Sequence, residues 1–183
     1  MHTARLAVSM LVLLLVAGCS NTSSGNPMPA DSVAGSSGNA STRPQELRLD
    51  DVNPCTLLSH DEYSDYHLDE PGKPEQDDRG ADQCAWFGEI GYMDVTLVTF
   101  EGVEARKNRY GQMESTDPID GFPAYTVTLP GDEEKACFVL VDVADGQHLD
   151  VQVGLYGSPG GIPPVCEYAH QFASSLMSTL VKS

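Results

Sequence analysis

The amino-acid sequence predicts an α+β domain: one antiparallel sheet of about five strands, a C-terminal helix packed on one face, short N-terminal helices and two disulfides. Three features carry that expectation. Residues 92–100 and 148–156 alternate apolar and polar side chains, the period of a strand with one buried face. Asp145-Gly146 stands between two such runs, where a tight hairpin turns. Cys166, Ala169, Phe172, Ala173, Leu176 and Leu180 fall on one stripe at helical spacing, and a helix with one apolar stripe must lay it against the sheet.

The elements follow in chain order. Arg5 and the amino terminus give a short positive start, and Leu6–Val16 is an apolar run broken only by Ser9. The small residues Ala17-Gly18 lead to Cys19. Residues 1–18 therefore read as a secretory leader with a small-residue cleavage site, and the cysteine after the cut gives the pattern of a bacterial lipoprotein. The run is too short to stay as a spanning helix, which needs about 20 residues. Residues 19–45 hold the lipidated Cys19 and then a linker almost exclusively of Ser, Gly, Pro, Asn, Thr and Ala, with Met28 and Val33 its only larger apolar side chains, too apolar-poor to fold. As a coil its reach is on the order of 25–30 Å.

A single globular domain is expected over 46–183. Asn53 caps a short helical turn with Pro54 at its first position, and Ser59 with Glu62 forms a capping box for a second, to about His67. The acidic stretch 69–82 reads as an exposed loop. Residues 83–87 and 92–100 read as a hairpin, 103–113 as a helix, 117–123 as a turn and 124–129 as a strand. Residues 137–143 and 148–156 form the clearest hairpin, and 163–181 the terminal helix. In the return strand Leu149, Val151, Val153 and Leu155 face one way. His148, Asp150, Gln152 and Tyr156 face the other, wet or partly covered.

With Cys19 taken by lipid, Cys55, Cys84, Cys137 and Cys166 remain, an even set in an exported chain. Three connectivities are open. The element placement favours Cys55 with Cys84 and Cys137 with Cys166, each stapling a helix to a strand.

Several motifs resemble one group of proteins. Asn53-Pro54-Cys55-Thr56-Leu57-Leu58-Ser59 resembles the opening of small actinobacterial lipoproteins catalogued as a domain of unknown function. Cys84-Ala85-Trp86 is similar to their C-x-W strand, and Gly121-Phe122-Pro123-Ala124 to their G-x-P-A turn. Val143-Ala144-Asp145-Gly146-Gln147 resembles their central hairpin, and Cys166-Glu167-Tyr168-Ala169 their C-E-x-A helix start. The resemblance implies export, lipidation and one compact domain, and it supplies no catalytic residues.

Composition narrows the partners. The chain carries 27 acids against 10 bases, a net charge of −17, and removing Arg5 with the leader leaves nine bases and −18. Such a surface repels nucleic acid. The scattered His60, His67, His148 and His170 form no zinc motif and read as surface histidines. Ser158, among glycines and prolines, lacks the strand–elbow–helix setting of a nucleophile. The acids crowded between Asp61 and Asp82, and Asp142, Asp145 and Asp150 about the hairpin bend, match no EF-hand spacing. Trp86, two residues after Cys84, is expected to pack on the disulfide.

No cofactor and no metal are expected. The expectation is a non-enzymatic binding, accessory or sensor module, held at the outer face of the cell membrane by a palmitate-type anchor on Cys19. Its partner is an unidentified protein or small molecule. Two alternatives stand beside it: a cell-envelope hydrolase using carboxylates the sequence does not single out, and a lipid carrier with an apolar cavity between sheet and helix.

Overall fold

The computed structural model describes residues 43–107, 109 and 112–183. The expected leader, Cys19 and the expected linker as far as residue 42 lie outside the described residues. Seven strands form one antiparallel sheet: β1 Lys73–Gln76, β2 Asp82–Phe87, β3 Gly91–Val98, β4 Gln112–Ile119, β5 Phe122–Thr128, β6 Ala136–Ala144 and β7 Gln147–Leu155. Their order is β1-β2-β3-β7-β6-β5-β4. A short helix, α1, spans Val103–Lys107, and α2 spans Val165–Leu180. Two 3-10 turns, Pro54–Thr56 and His60–Tyr66, precede the sheet, capped by Asn53 and by the Ser59–Glu62 box.

The sheet thus has seven strands rather than about five. The two extra ones are its edges. β1 falls inside the acidic segment read as a loop, and β4 replaces the end of the expected helix 103–113 and the start of the expected turn 117–123. Both are largely exposed, so neither shows the alternation that marks a half-buried strand. Each carries a proline, Pro74 or Pro118, which lacks a ladder donor and belongs at an edge. The β4–β5 turn is Asp120-Gly121, both left-handed at φ 50° and 84°, the pair that a two-residue hairpin turn needs.

Alternation along β3, β6 and β7 sorts the side chains. On the inner face Trp86, Met93, Val95, Val139, Val151 and Val153 meet Phe172, Leu176 and Met177 of α2, all essentially inaccessible. Trp86 stands edge-on to Phe172 at 5.7 Å between ring centres. Gly72 passes so close to Trp86 and the Cys84 sulfur that a Cβ there would sit 2.5 Å from both Cys84 Sγ and Trp86 Nε1. No described helix is long and apolar enough to cross a membrane.

The N-terminal segment is tied to the β6–β7 bend. Arg43, placed by the sequence in the linker, pairs with Glu46, Asp142 and Asp145. The Leu47 N–H donates to the Val143 carbonyl, and the Leu49 N–H to Gln147 Oε1 at 2.8 Å.

Disulfides join Cys55 to Cys84 and Cys137 to Cys166, each across 29 residues. Closing a loop of that length removes about 3–4 kcal/mol of chain entropy from the unfolded state. The double variant Cys137→Ala/Cys166→Ala, which releases the start of α2 from β6, is expected to lose about that much stability in urea unfolding. An unchanged midpoint would show that the staple contributes nothing.

Candidate functional site

The opposite face of the sheet is only partly covered, by α1. Val103 packs on Val127 and Leu140, with Phe138 and Tyr125 alongside. Next to this patch the face is polar and still buried. Asp94 and Thr96 of β3 stand opposite Gln152 and Asp150 of β7, so Asp94 and Asp150 are diagonal neighbours on one face, about 7–8 Å apart along the backbone. Both are over nine-tenths buried. They line a half-open cleft of about 250 Å³ together with Gln83, Arg79, Arg106 and the apolar Val127 and Phe138.

The pairing within the cleft is uneven. Arg106 of α1 pairs with Oδ2 of Asp150, while Asp150 Oδ1 is buried without a hydrogen-bond partner. Asp94 accepts a hydrogen bond from Gln83 Nε2 at 2.8 Å. Arg79 is held by Asp77, with Nε–Oδ2 at 3.0 Å, and by Glu101. Arg109 reaches both oxygens of Glu101, at 2.9 and 2.8 Å. Gln152 donates to the Tyr92 hydroxyl at 2.8 Å, and the Tyr92 ring lies over Gly154, where a Cβ would meet it at 2.2 Å.

Burial governs the titration of these groups. It pushes the Asp94 carboxyl up to about 7, against the Gln83 hydrogen bond and with a further push from Asp150 and Glu75. It raises Asp150 to about 6 in spite of Arg106 and Arg79. It lowers His148 to about 4, against the hydrogen bond to the Glu101 carbonyl. That carbonyl only accepts, so Nδ1 carries the proton. The neutral ring then presents Nε2, buried and without a partner.

The sequence-level expectations divide accordingly. His148 is fully buried rather than a surface histidine, because α1 and the preceding loop cover its end of the polar face. His170 lies at the surface, with Nε2 3.0 Å from the Asp117 carbonyl. The three acids about the hairpin bend are separated: Asp142 and Asp145 serve Arg43, and Asp150 serves Arg106. Among the described residues no three His, Cys, Asp or Glu side chains are placed to hold a metal ion. The four disulfide cysteines are bonded in the core, and Cys19 lies outside the described residues. Asp94, Gln83, Arg79 and Arg106 were not singled out by sequence. The available signal was an acid within each of two strands whose alternate positions are apolar, Asp94 and Asp150.

The Asp94 shift fixes the sign of a stability effect. An unfolded aspartate titrates near 3.8, so the folded chain binds this proton more tightly. Stability is then lost as pH rises from about 3.8 to about 7, and the whole cost stands above that range. Asp94→Asn keeps an acceptor for Gln83 and removes the charge. It is expected to be more stable by up to about 4 kcal/mol at alkaline pH, with the gain vanishing near the unfolded aspartate's value, in urea titrations across pH. A pH-independent difference would refute the assignment.

Residues 14–179 match the family model described as protein of unknown function (DUF3558). No curated protein and no solved structure matches the chain. The family match spans all seven strands, both disulfides and the cleft, and the chain belongs to the DUF3558 family.

Proposed function

We propose that the chain is a lipid-anchored extracytoplasmic lipoprotein whose domain binds a small molecule in the cleft beneath α1, as a non-enzymatic binding, accessory or sensor module. One observation carries the binding part: Asp150, a residue lining the cavity, keeps a buried Oδ1 with no partner, beside a second buried carboxyl, Asp94. A buried acceptor left unpaired costs about 1–3 kcal/mol, which a ligand's donor would recover. The anchoring part is supported by the apolar leader and by Cys19 after its small residues, with the family match beginning at residue 14, ahead of that cysteine. A diacylglycerol thioether on Cys19 contributes about 0.8 kcal/mol per buried methylene, so two chains hold firmly.

Cys19→Ala is expected to release the domain from membranes or to leave the leader uncleaved. Detergent-phase partitioning with mass spectrometry of the N-terminus reads the result, and a processed Cys19→Ala protein that still partitions with detergent would overturn the anchor.

A second reading is favoured by the same pair. Asp94, raised to about 7, is in the range of a general acid, and Asp150 is its diagonal neighbour on β7. A cell-envelope glycan hydrolase would use both. That reading expects release of reducing ends from envelope glycan, abolished in Asp94→Asn. No release above background by the wild-type chain decides for binding alone.

A further inference from the structure

The ledger of charges in the cleft is lopsided once the internal pairs are taken out. Asp77 and Glu101 are spent on Arg79, and Oδ2 of Asp150 on Arg106. Of the cavity's acids, that leaves the exposed Asp78 at the rim, Asp94 with only a neutral amide from Gln83, and Asp150 with its buried Oδ1 unpaired. The last two are acceptors when ionised, and both stand on rigid neighbouring strands. The two cleft arginines already serve carboxylates. The opposite side of the cavity, Val127, Leu129 and Phe138, is apolar.

Resting on the reading of this cleft as a binding site, we infer that its ligand is a small organic cation, a protonated amine or guanidinium on a short apolar stem, with its N–H groups donating to Asp94 and to Oδ1 of Asp150. An anion would meet two carboxylates and no uncommitted base. A neutral alcohol has a single donor for two separated acceptors. An inorganic cation lacks a third ligand, since the described residues offer no metal-holding trio. About 250 Å³ is small against ligand pockets of roughly 300–1,000 Å³, which suits a short stem rather than a polymer. The net charge of −17 raises the local concentration of cations about the whole domain.

The cation would supply the counter-charge that Asp94 lacks. Asp94 is faced by Gln83 on β2, Asp150 on β7 and Glu75 on β1, with Arg106 of α1 and Arg79 at the cavity wall. Among these, Asp150 and Glu75 hold its proton on and Gln83 opposes them. An alkylamine stays charged well above neutrality, as lysine does. Binding in mildly acidic buffer therefore ionises Asp94 and releases its proton, and affinity falls as the pH is lowered from about 8 to about 5.

The test is calorimetric titration of the full chain in detergent with n-pentylamine, n-butylguanidine, n-pentanol and pentanoate, with the amide resonances of residues 94 and 150 followed in parallel. The amine and guanidine are expected to bind with proton release and to shift both resonances, and the alcohol and acid are expected to do neither at the same concentration. Asp94→Asn and Asp150→Asn should each weaken the amine by roughly tenfold or more, since a charged hydrogen bond contributes about 1.5–3 kcal/mol. Glu167→Gln, exposed on α2, should leave it unchanged. If the alcohol or the acid binds in the cleft as well as the amine, the cation inference is wrong while the cleft stands as a site. If no probe moves either resonance, the inference and the binding site fall together. Amine binding indifferent to both Asp substitutions would overturn the placement.

Discussion

The pairing of β7 with β3 on one side and β6 on the other is the constraint on which the rest depends. In this central trio the inward side chains are Val95, Val139, Val151 and their neighbours, and the outward ones are Asp94, His148 and Asp150. A one-residue slip of β7 would turn its side chains over and drive Asp150 and His148 into the layer against α2. The Asp145-Gly146 bend, with Gly146 at φ 71°, holds the register at one end. Gln147 reinforces it, because its fully buried amide accepts from the Leu49 N–H and donates to Asp50 Oδ2 at 2.9 Å. That one side chain joins the start of the domain to the bend that sets the register, and Arg43 spans the same join by charge.

The two faces of the sheet are built on different terms. The inner face is apolar burial closed by α2, with space between the layers filled by Trp86, Phe172 and Met177. The outer face is a chain of polar groups, most of them met by a neighbour, with His148 Nε2 and Asp150 Oδ1 left unpaired. Glu101 receives Arg79 and Arg109 and, through its carbonyl, His148. Arg106 comes from α1 to meet Asp150. The titrations on this face oppose one another. Burial of His148 makes the fold lose stability on acidification from the unfolded histidine's 6.5 toward about 4. Burial of Asp94 makes it lose stability on the way up toward about 7. The combined profile is flatter across mild acidity than either group alone would give.

Much of this was legible in the chain. The β6–β7 hairpin, α2 and the disulfide partners follow from alternation, a turn dipeptide and an apolar stripe, because those elements are half-buried and the core writes its period into them. The edge strands did not declare themselves. β1 and β4 are held by backbone pairing to one neighbour each, and with few buried side chains the sequence bears no period for them. Asp120-Gly121 was the usable sign of the β4–β5 hairpin, masked by the polar residues before it. The cleft was invisible for another reason. Gln83, Asp94, Asp150 and Arg106 lie on four elements spread along the chain, and only the strand order brings them together. His148 looked like a surface residue because alternation assigns a face and says nothing about what covers it.

Asp94 is the point where folding and function separate. Nothing around it requires a negative charge: Gln83 would donate equally to a neutral amide oxygen, and Asp150 beside it repels a second charge. Asp150 differs, because Arg106 would be left without its carboxylate if the charge were removed. A fold optimised for stability alone would place a neutral side chain at position 94 and keep the acid at 150. As built, Arg106 pairs with Asp150, and Asp94 lines a cavity with apolar residues and has no counter-charge of its own. Strain of that kind persists where a ligand relieves it, and the relief required here is positive charge.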